Sequence, residues 1–251
     1  MPSISTDILD NFLRQIQSND GTLTSLDVSK ELGLYEIDLF QDGTIDDELK
    51  AIAEALTDNT NLNIDEFVLS CPMYNVGQEG VVALAGLFLQ NTTIKHIVLD
   101  NVRCTAPYGL RHLISALCFN RTVTDLEIHS DDEPSFDLDF EKTVLTQNCI
   151  VGLANVFRSN SVIQRVCLCP NGLTDDDVIN ILAPALAVNT AIVELDVSCN
   201  YGITEIGLGV LREAMGDRGV VIMDSGNDTD ETFDETDSDD DDDEDEQGLY
   251  M

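Results

Sequence analysis

Three histidines and seven cysteines are the residues of this chain best suited to proton transfer, nucleophilic attack or metal binding. His96 and His129 stand at outward positions of predicted strands, and His112 on the polar side of a predicted helix. No serine, cysteine or carboxylate is paired with any of them by motif, so they read as surface histidines and no catalytic residue is assigned. Cys167 and Cys169 share the outer face of one predicted strand, with His129 and Asp196 on its neighbours, a donor set that zinc accepts. Two residues along a strand hold the sulfurs roughly 6 to 7 Å apart, too far for an undistorted tetrahedral site, so neither a metal nor another cofactor is expected. Outward exposure predicts instead that these two thiols react first with a water-soluble alkylator. Acids offer a different chemistry. Glu36, Asp38, Glu66, Asp100, Asp125, Glu127, Glu194 and Asp196 all occupy outward strand positions. Columns of like charge on one sheet face repel one another and are relieved by a cation, here a protein partner with a basic surface. Val68, Val98 and Cys167 add an apolar strip through the middle, the combination that an interface wants.

The strands that must position these residues repeat one phrase, L-x-x-L-x-L-x-x-N-x-L. It is clearest as Ile163, Val166, Leu168, Asn171 and Leu173, and again as Ile192, Leu195, Val197 and Asn200, with Ile203 one residue late. Val166 and Leu168 are two apart, as are Leu195 and Val197, so each pair points to one side of an extended strand while Cys167 and Asp196 point to the other. The inward set is Ile37, Leu39, Phe67, Leu69, Ile97, Leu99, Leu126, Ile128, Val166, Leu168, Leu195 and Val197. An asparagine buried where the chain leaves the strand can bond backbone groups that the turn leaves unpaired. Phrase heads at Leu34, Ile64, Ile94, Val123, Ile163 and Ile192 give intervals of 30, 30, 29, 40 and 29 residues, and Val220 to Met223 supply a closing strand about 29 residues after Ile192. The long interval holds an insertion in which Phe136, Leu138 and Phe140 alternate with Asp137 and Asp139. Between strands lie segments with one apolar helical face, such as Leu49, Ile52, Ala53 and Leu56, or Leu110, Leu113, Ile114 and Leu117. Thr44 and Thr174, each with an aspartate three residues on, fit helix N-caps, and Pro184 must kink or shorten its helix. Most of the helices run into an Asn-Thr or Asn-Ser junction. One such unit cannot bury both its strand and its helix face, so it must stack on copies of itself.

The phrase, its 29-residue period and the wording LAPALAVNT and GVLREAM resemble the ribonuclease-inhibitor-like class of leucine-rich repeats. That resemblance implies an α/β solenoid, each repeat a strand followed by a helix, with a curved parallel sheet on the concave face and helices on the convex one. It also implies a non-catalytic scaffold that binds protein on the concave face. Upstream, Ile8, Leu9, Phe12, Leu13 and Ile16 fall on one helical face and form an N-terminal cap, and the NDGTLTSLDVS that follows resembles the first strand of tropomodulin-like repeat domains. The chain departs from the repeat pattern at the loop asparagine, which is present only as Asn171 and Asn200, with Asp42, Asp131, Pro72 and Val102 at the equivalent places. Inhibitor-type repeats joined to an acidic tail also resemble the Ran GTPase-activating protein, which would place a catalytic arginine in a post-strand loop such as that of Arg103. The surrounding LDNVRCTAPYG does not reproduce that family's wording, and the chain is read as a non-enzyme. A further resemblance, to acidic nuclear leucine-rich phosphoproteins, implies a tail that shields histones or similar basic clients.

Composition sets the outer bounds. Against 48 acids stand 12 Lys and Arg, a formal charge of −36, which excludes a nucleic-acid binder working by phosphate neutralisation. No run approaches the eighteen or so apolar residues of a membrane span, and MPSISTDILDNFLRQIQ has no signal- or transit-peptide character. An odd number of scattered cysteines fits reduced thiols in a cytoplasmic or nuclear protein. The repeat domain is expected over residues 1–223. Residues 224–251, with 15 acids between Asp224 and Glu246 and no base, have too little apolar surface to fold and form an acidic, disordered tail.

Overall fold

The computed structural model describes residues 6–18, 23–34, 44–58, 64–71, 75–105, 108–130 and 145–224. Its strands are β1 (Ser25–Asp27), β2 (Glu66–Ser70), β3 (Asn75–Val76), β4 (His96–Asp100), β5 (Arg103–Cys104), β6 (Asp125–His129), β7 (Arg165–Cys167), β8 (Glu194–Asp196) and β9 (Val220–Ile222). Seven of them form one parallel sheet in the order β1-β2-β4-β6-β7-β8-β9, and β3 pairs with β5 in a separate parallel pair. Every strand of the large sheet lies beside its predecessor in sequence, so each connection must return to the same end of the sheet, and helices supply the return. After α1 (Thr6–Ser18), which precedes the first strand, the helices are α2 (Val28–Glu31), α3 (Asp46–Asp58), α4 (Gln78–Gln90), α5 (Gly109–Ala116), α6 (Gln147–Ser159), α7 (Asp175–Asp177), α8 (Ala183–Leu186) and α9 (Glu205–Met215).

Alternation along the strands decides which sheet face is covered. Phe67, Leu69, Ile97, Leu99, Leu126, Ile128, Val166, Leu168, Leu195 and Val197 are all buried, while the residues between them are half-exposed. Together with Leu49, Ile52, Leu84, Leu113, Ile114, Leu153 and Leu211 of the helices they form one continuous apolar core. Phe67 and Phe88 meet edge to face within it, ring centres 5.5 Å apart. Helix α1 adds Phe12 and Ile16 to this core at the N-terminal end.

The register corrects the predicted repeat at Leu34. Leu26 pairs with Phe67, so the place beside β2 expected for a strand at 36–39 is held by Ser25–Asp27, the stretch read as a first strand. Ile37 and Leu39 lie outside the described residues, as do Asp42, Asp131, the apolar insertion at 136–140 and the tail from 225. Later units keep the predicted spacing, Phe67 to Ile97, Leu126, Val166 and Leu195. The last is shorter, Leu195 pairing with Val221 only 26 residues on.

Local signals act as their chemistry requires. Thr174 caps α7 in a reciprocal box with Asp177. Thr44 instead makes an isolated bridge to Asn75, two residues before α3 begins. Pro184 has no amide to continue the helical ladder, and the chain passes through a π-helical stretch, Val178–Leu182, before α8.

The Asn junctions at the ends of the helices prove to be a ladder. Asn91, Asn120, Asn160 and Asn189 each accept two backbone N–H groups, two and three residues ahead, on Oδ1. Nδ2 of the last three donates back to a carbonyl of the unit before: Asn120 to Phe88, Asn160 to Leu117 and Asn189 to Phe157. Arg218 makes the last such contact, donating to the Leu186 carbonyl at 2.5 Å.

Candidate protein-docking face

The sheet face that no described element covers carries the outward residues in columns set by the register. The first runs Ser25, Glu66, His96, Asp125, Arg165, Glu194 and Val220. The second runs Asp27, Val68, Val98, Glu127, Cys167, Asp196 and Ile222, and a third holds Ser70, Asp100 and His129. Of the predicted site residues, Glu66, Asp100, Asp125, Glu127, Glu194 and Asp196 share this face and are half-buried. Glu36 and Asp38 fall outside the described residues.

The expectation of like charges in columns is corrected by the bases that stand among them. His96 presents Nδ1 to Glu66 at 3.1 Å and Nε2 to Glu127 at 2.7 Å, and His129 Nε2 lies 3.0 Å from the other Glu127 oxygen. Glu127 thus bridges two imidazoles from the columns either side of its own. His129 turns Nδ1 to the Cys169 carbonyl, and Arg165 donates from Nε to Asp125. Elsewhere backbone and hydroxyl groups hold the carboxylates: Ser70 Oγ donates to Asp100 at 2.6 Å, and the Ser198 amide to Asp196 at 2.8 Å. Adding the repeat intervals to Glu66 gives 96, 125, 165 and 194, so the basic positions of the first column were present in the sequence.

Between these columns lies a depression of about 320 Å³ lined by His96, Asp125, Glu127, Arg165, Cys167, Glu194 and Asp196. It joins a single sulfur to a ring of charge. Glu127 also interrupts the expected apolar strip, separating Val98 from Cys167. A larger groove of about 630 Å³ runs between α3 and α4 on the helix side, but its rim of Lys50, Glu54 and Glu79 mixes signs and selects no ligand charge.

All seven cysteines are unpaired. Burial pushes the Cys167 thiol up to about 11, with the Asp196 and Glu127 carboxylates adding to the effect. Burial together with a bond to the Cys199 side chain takes Cys169 to about 12. Both are half-buried beside acids that disfavour a thiolate, which counts against the expectation that they react first, although Cys71 and Cys149 are buried more deeply still. Among the described residues no group of three or more His, Cys, Asp or Glu side chains could hold a metal ion, and no helix is long and apolar enough to cross a membrane. Arg103 is exposed on β5, whose partner is β3 rather than any strand of the large sheet.

No family model matches the chain, and no curated protein does. Among solved structures it is similar to "Leiomodin-1 Actin-Binding Site 2 (ABS2)", with 19% identity and a TM-score of 0.41 over 66% of this chain and 79% of that one. It is also similar to the tropomodulin C-terminal domain of Caenorhabditis elegans, with 12% identity and a TM-score of 0.44 over 63% and 80% of the two chains.

Proposed function

We propose that the chain is a leucine-rich-repeat solenoid and a non-catalytic binding module, and that its open sheet face docks a protein with a basic surface in the cytoplasm or nucleus. The observation that carries this reading is the charge left over on that face. Asp27, Glu66, Asp100, Asp125, Glu127, Glu194 and Asp196 are set against one guanidinium and two imidazoles. Glu194 and Asp196 sit at the depression, and among the described residues neither makes an ion pair. Half-buried acids held in place by backbone and hydroxyl donors are pre-organised for a cationic partner, which lowers the ordering cost of binding.

Replacing Glu127, Glu194 and Asp196 together by Lys tests it, because charge on a docking surface acts mainly on the association rate. A basic partner recovered by pull-down should associate more slowly with the triple variant, and the salt dependence of its on-rate should flatten. A variant that binds unchanged, while removal of residues 225–251 abolishes binding, would assign recognition to the acidic tail.

A further inference from the structure

The sheet ends at β9 with no further neighbour among the described residues. Edge strands are usually blunted by charge, proline, a bulge or a covering segment. This one reads Val220-Val221-Ile222, and Val220 and Ile222 are 56% and 39% exposed. Its hydrogen bonds alternate. The Val220 N–H donates to the Val193 carbonyl at 2.9 Å, and the Ile222 and Asp224 carbonyls accept from Val197 and Cys199 at 3.0 and 3.1 Å. Val220, Ile222 and Asp224 therefore face β8, and alternation in a parallel strand turns the N–H and C=O of Val221 and Met223 outward. Gly219 fixes this placement, since a Cβ there would lie 2.1 Å from the Val193 oxygen. Whereas α1 closes the core at the other end, Val210, Ala214, Val221 and Met223 are left partly buried at this one.

The flanking side chains define what fits. Val220 pairs with Glu194 and Ile222 with Asp196 on the open face. A strand added about 4.8 Å beyond β9 would set its open-face side chains beside Val220 and Ile222. Lys or Arg at those positions can lay an aliphatic stem along them and carry the charged head toward Glu194 and Asp196. The intervening residues would meet Val221 and Met223 on the core side and must be apolar. A second copy of this chain fits worse, because each β9 is followed by 15 acids and no base between Asp224 and Glu246. We propose that the outer edge of β9 takes an extended segment of a partner protein in which basic residues alternate with apolar ones, adding an eighth strand to the sheet. This does not rest on the open-face reading, since backbone groups of Val221 and Met223 do the pairing.

The probe is a labelled peptide of alternating Lys and Val, seven residues long, titrated into the full chain by fluorescence anisotropy. Two further peptides carry N-methyl groups on the Lys or on the Val amides. In an added strand one alternate set of amides faces β9 and the other faces solvent, so one methylated peptide should bind about tenfold or more weakly and the other nearly as the parent. Val221→Pro removes an outward amide without touching the ladder to β8, and should weaken the parent peptide similarly. Equal binding of both methylated peptides would overturn the proposal, because charge alone would then explain attachment. So would a wild-type dimer in sedimentation that Val221→Pro makes monomeric. Should that variant fail to fold, the methylated pair decides on the wild-type chain.

Discussion

Glu127 spends both carboxylate oxygens on imidazoles, one from the column before its own and one from the column after. A single side chain thereby cross-links three rows of the open face, and its neighbour in the register, Cys167, lies within that charged frame. The sulfur pays for its company. Burial and the Asp196 carboxylate push the Cys167 thiol up to about 11, so thiolate is scarce there at neutral pH. Mass-spectrometric mapping after iodoacetamide at pH 7.5 should show Cys167 and Cys169 lagging an unhindered model thiol, with rates that rise steadily at higher pH. Rapid labelling of both at neutral pH would mean that the strand end is open to water. The acids of this face were legible in the sequence because alternation alone tells outward from inward. His96, His129 and Arg165 were equally outward, but their pairing depends on which strands become neighbours and in what register, which a single-strand pattern does not contain.

A motif used twice ties one helix start to the next. Asp175, at the first position of α7, accepts from the Thr204 amide and hydroxyl and from the Gly207 amide, at 2.9, 2.6 and 3.1 Å. Asp46, at the first position of α3, accepts the Gly77 amide at 2.6 Å. In both units the third residue of the following helix is glycine, Gly80 or Gly207, where a Cβ would strike the aspartate. Bonds from Thr204 hold the Asp175 carboxyl below its ordinary value. A carboxyl whose folded pKa is depressed stabilises the fold above its unfolded pKa, and the contribution is lost as pH falls through the folded one. Asp175→Asn should therefore lower the melting temperature at neutral pH, with the gap to wild type closing as the pH is lowered through the carboxylate range. A gap constant with pH would show that the ionised form is not what the donors prefer. Helices and strands were readable here from apolar spacing, and Thr174 from its box. The aspartate tie was not, because Asp46 and Asp175 lie among other acids at helix starts and only the stacked unit distinguishes them.

Across the molecule, the asparagine ladder adds side-chain bonds between each unit and the one before it. Asn189 is buried; it takes the Ala191 and Ile192 amides on one atom and gives to the Phe157 and Asn160 carbonyls with the other. Asn189→Ala strands several of these groups, and a cost of about 2 to 4 kcal/mol in urea unfolding is expected from unpaired buried amides and carbonyls. A loss under about 0.5 kcal/mol would mean that water replaces the side chain at no cost. The Asn-Thr and Asn-Ser junctions were visible in the sequence, but their role was hidden because the carbonyls they bond lie 32 or 43 residues away. Arg218 follows Asn189 by 29 positions and reaches the Leu186 carbonyl, 32 residues back, as Asn189 reaches Phe157. A guanidinium has donors and no acceptor, so it cannot fold the next amides over itself as asparagine does. The Val220 amide goes straight to Val193, and the chain enters β9 three residues early, at 26 rather than 29. Side-chain polarity thus works as punctuation: asparagine is the comma after which another clause begins, and arginine is the full stop.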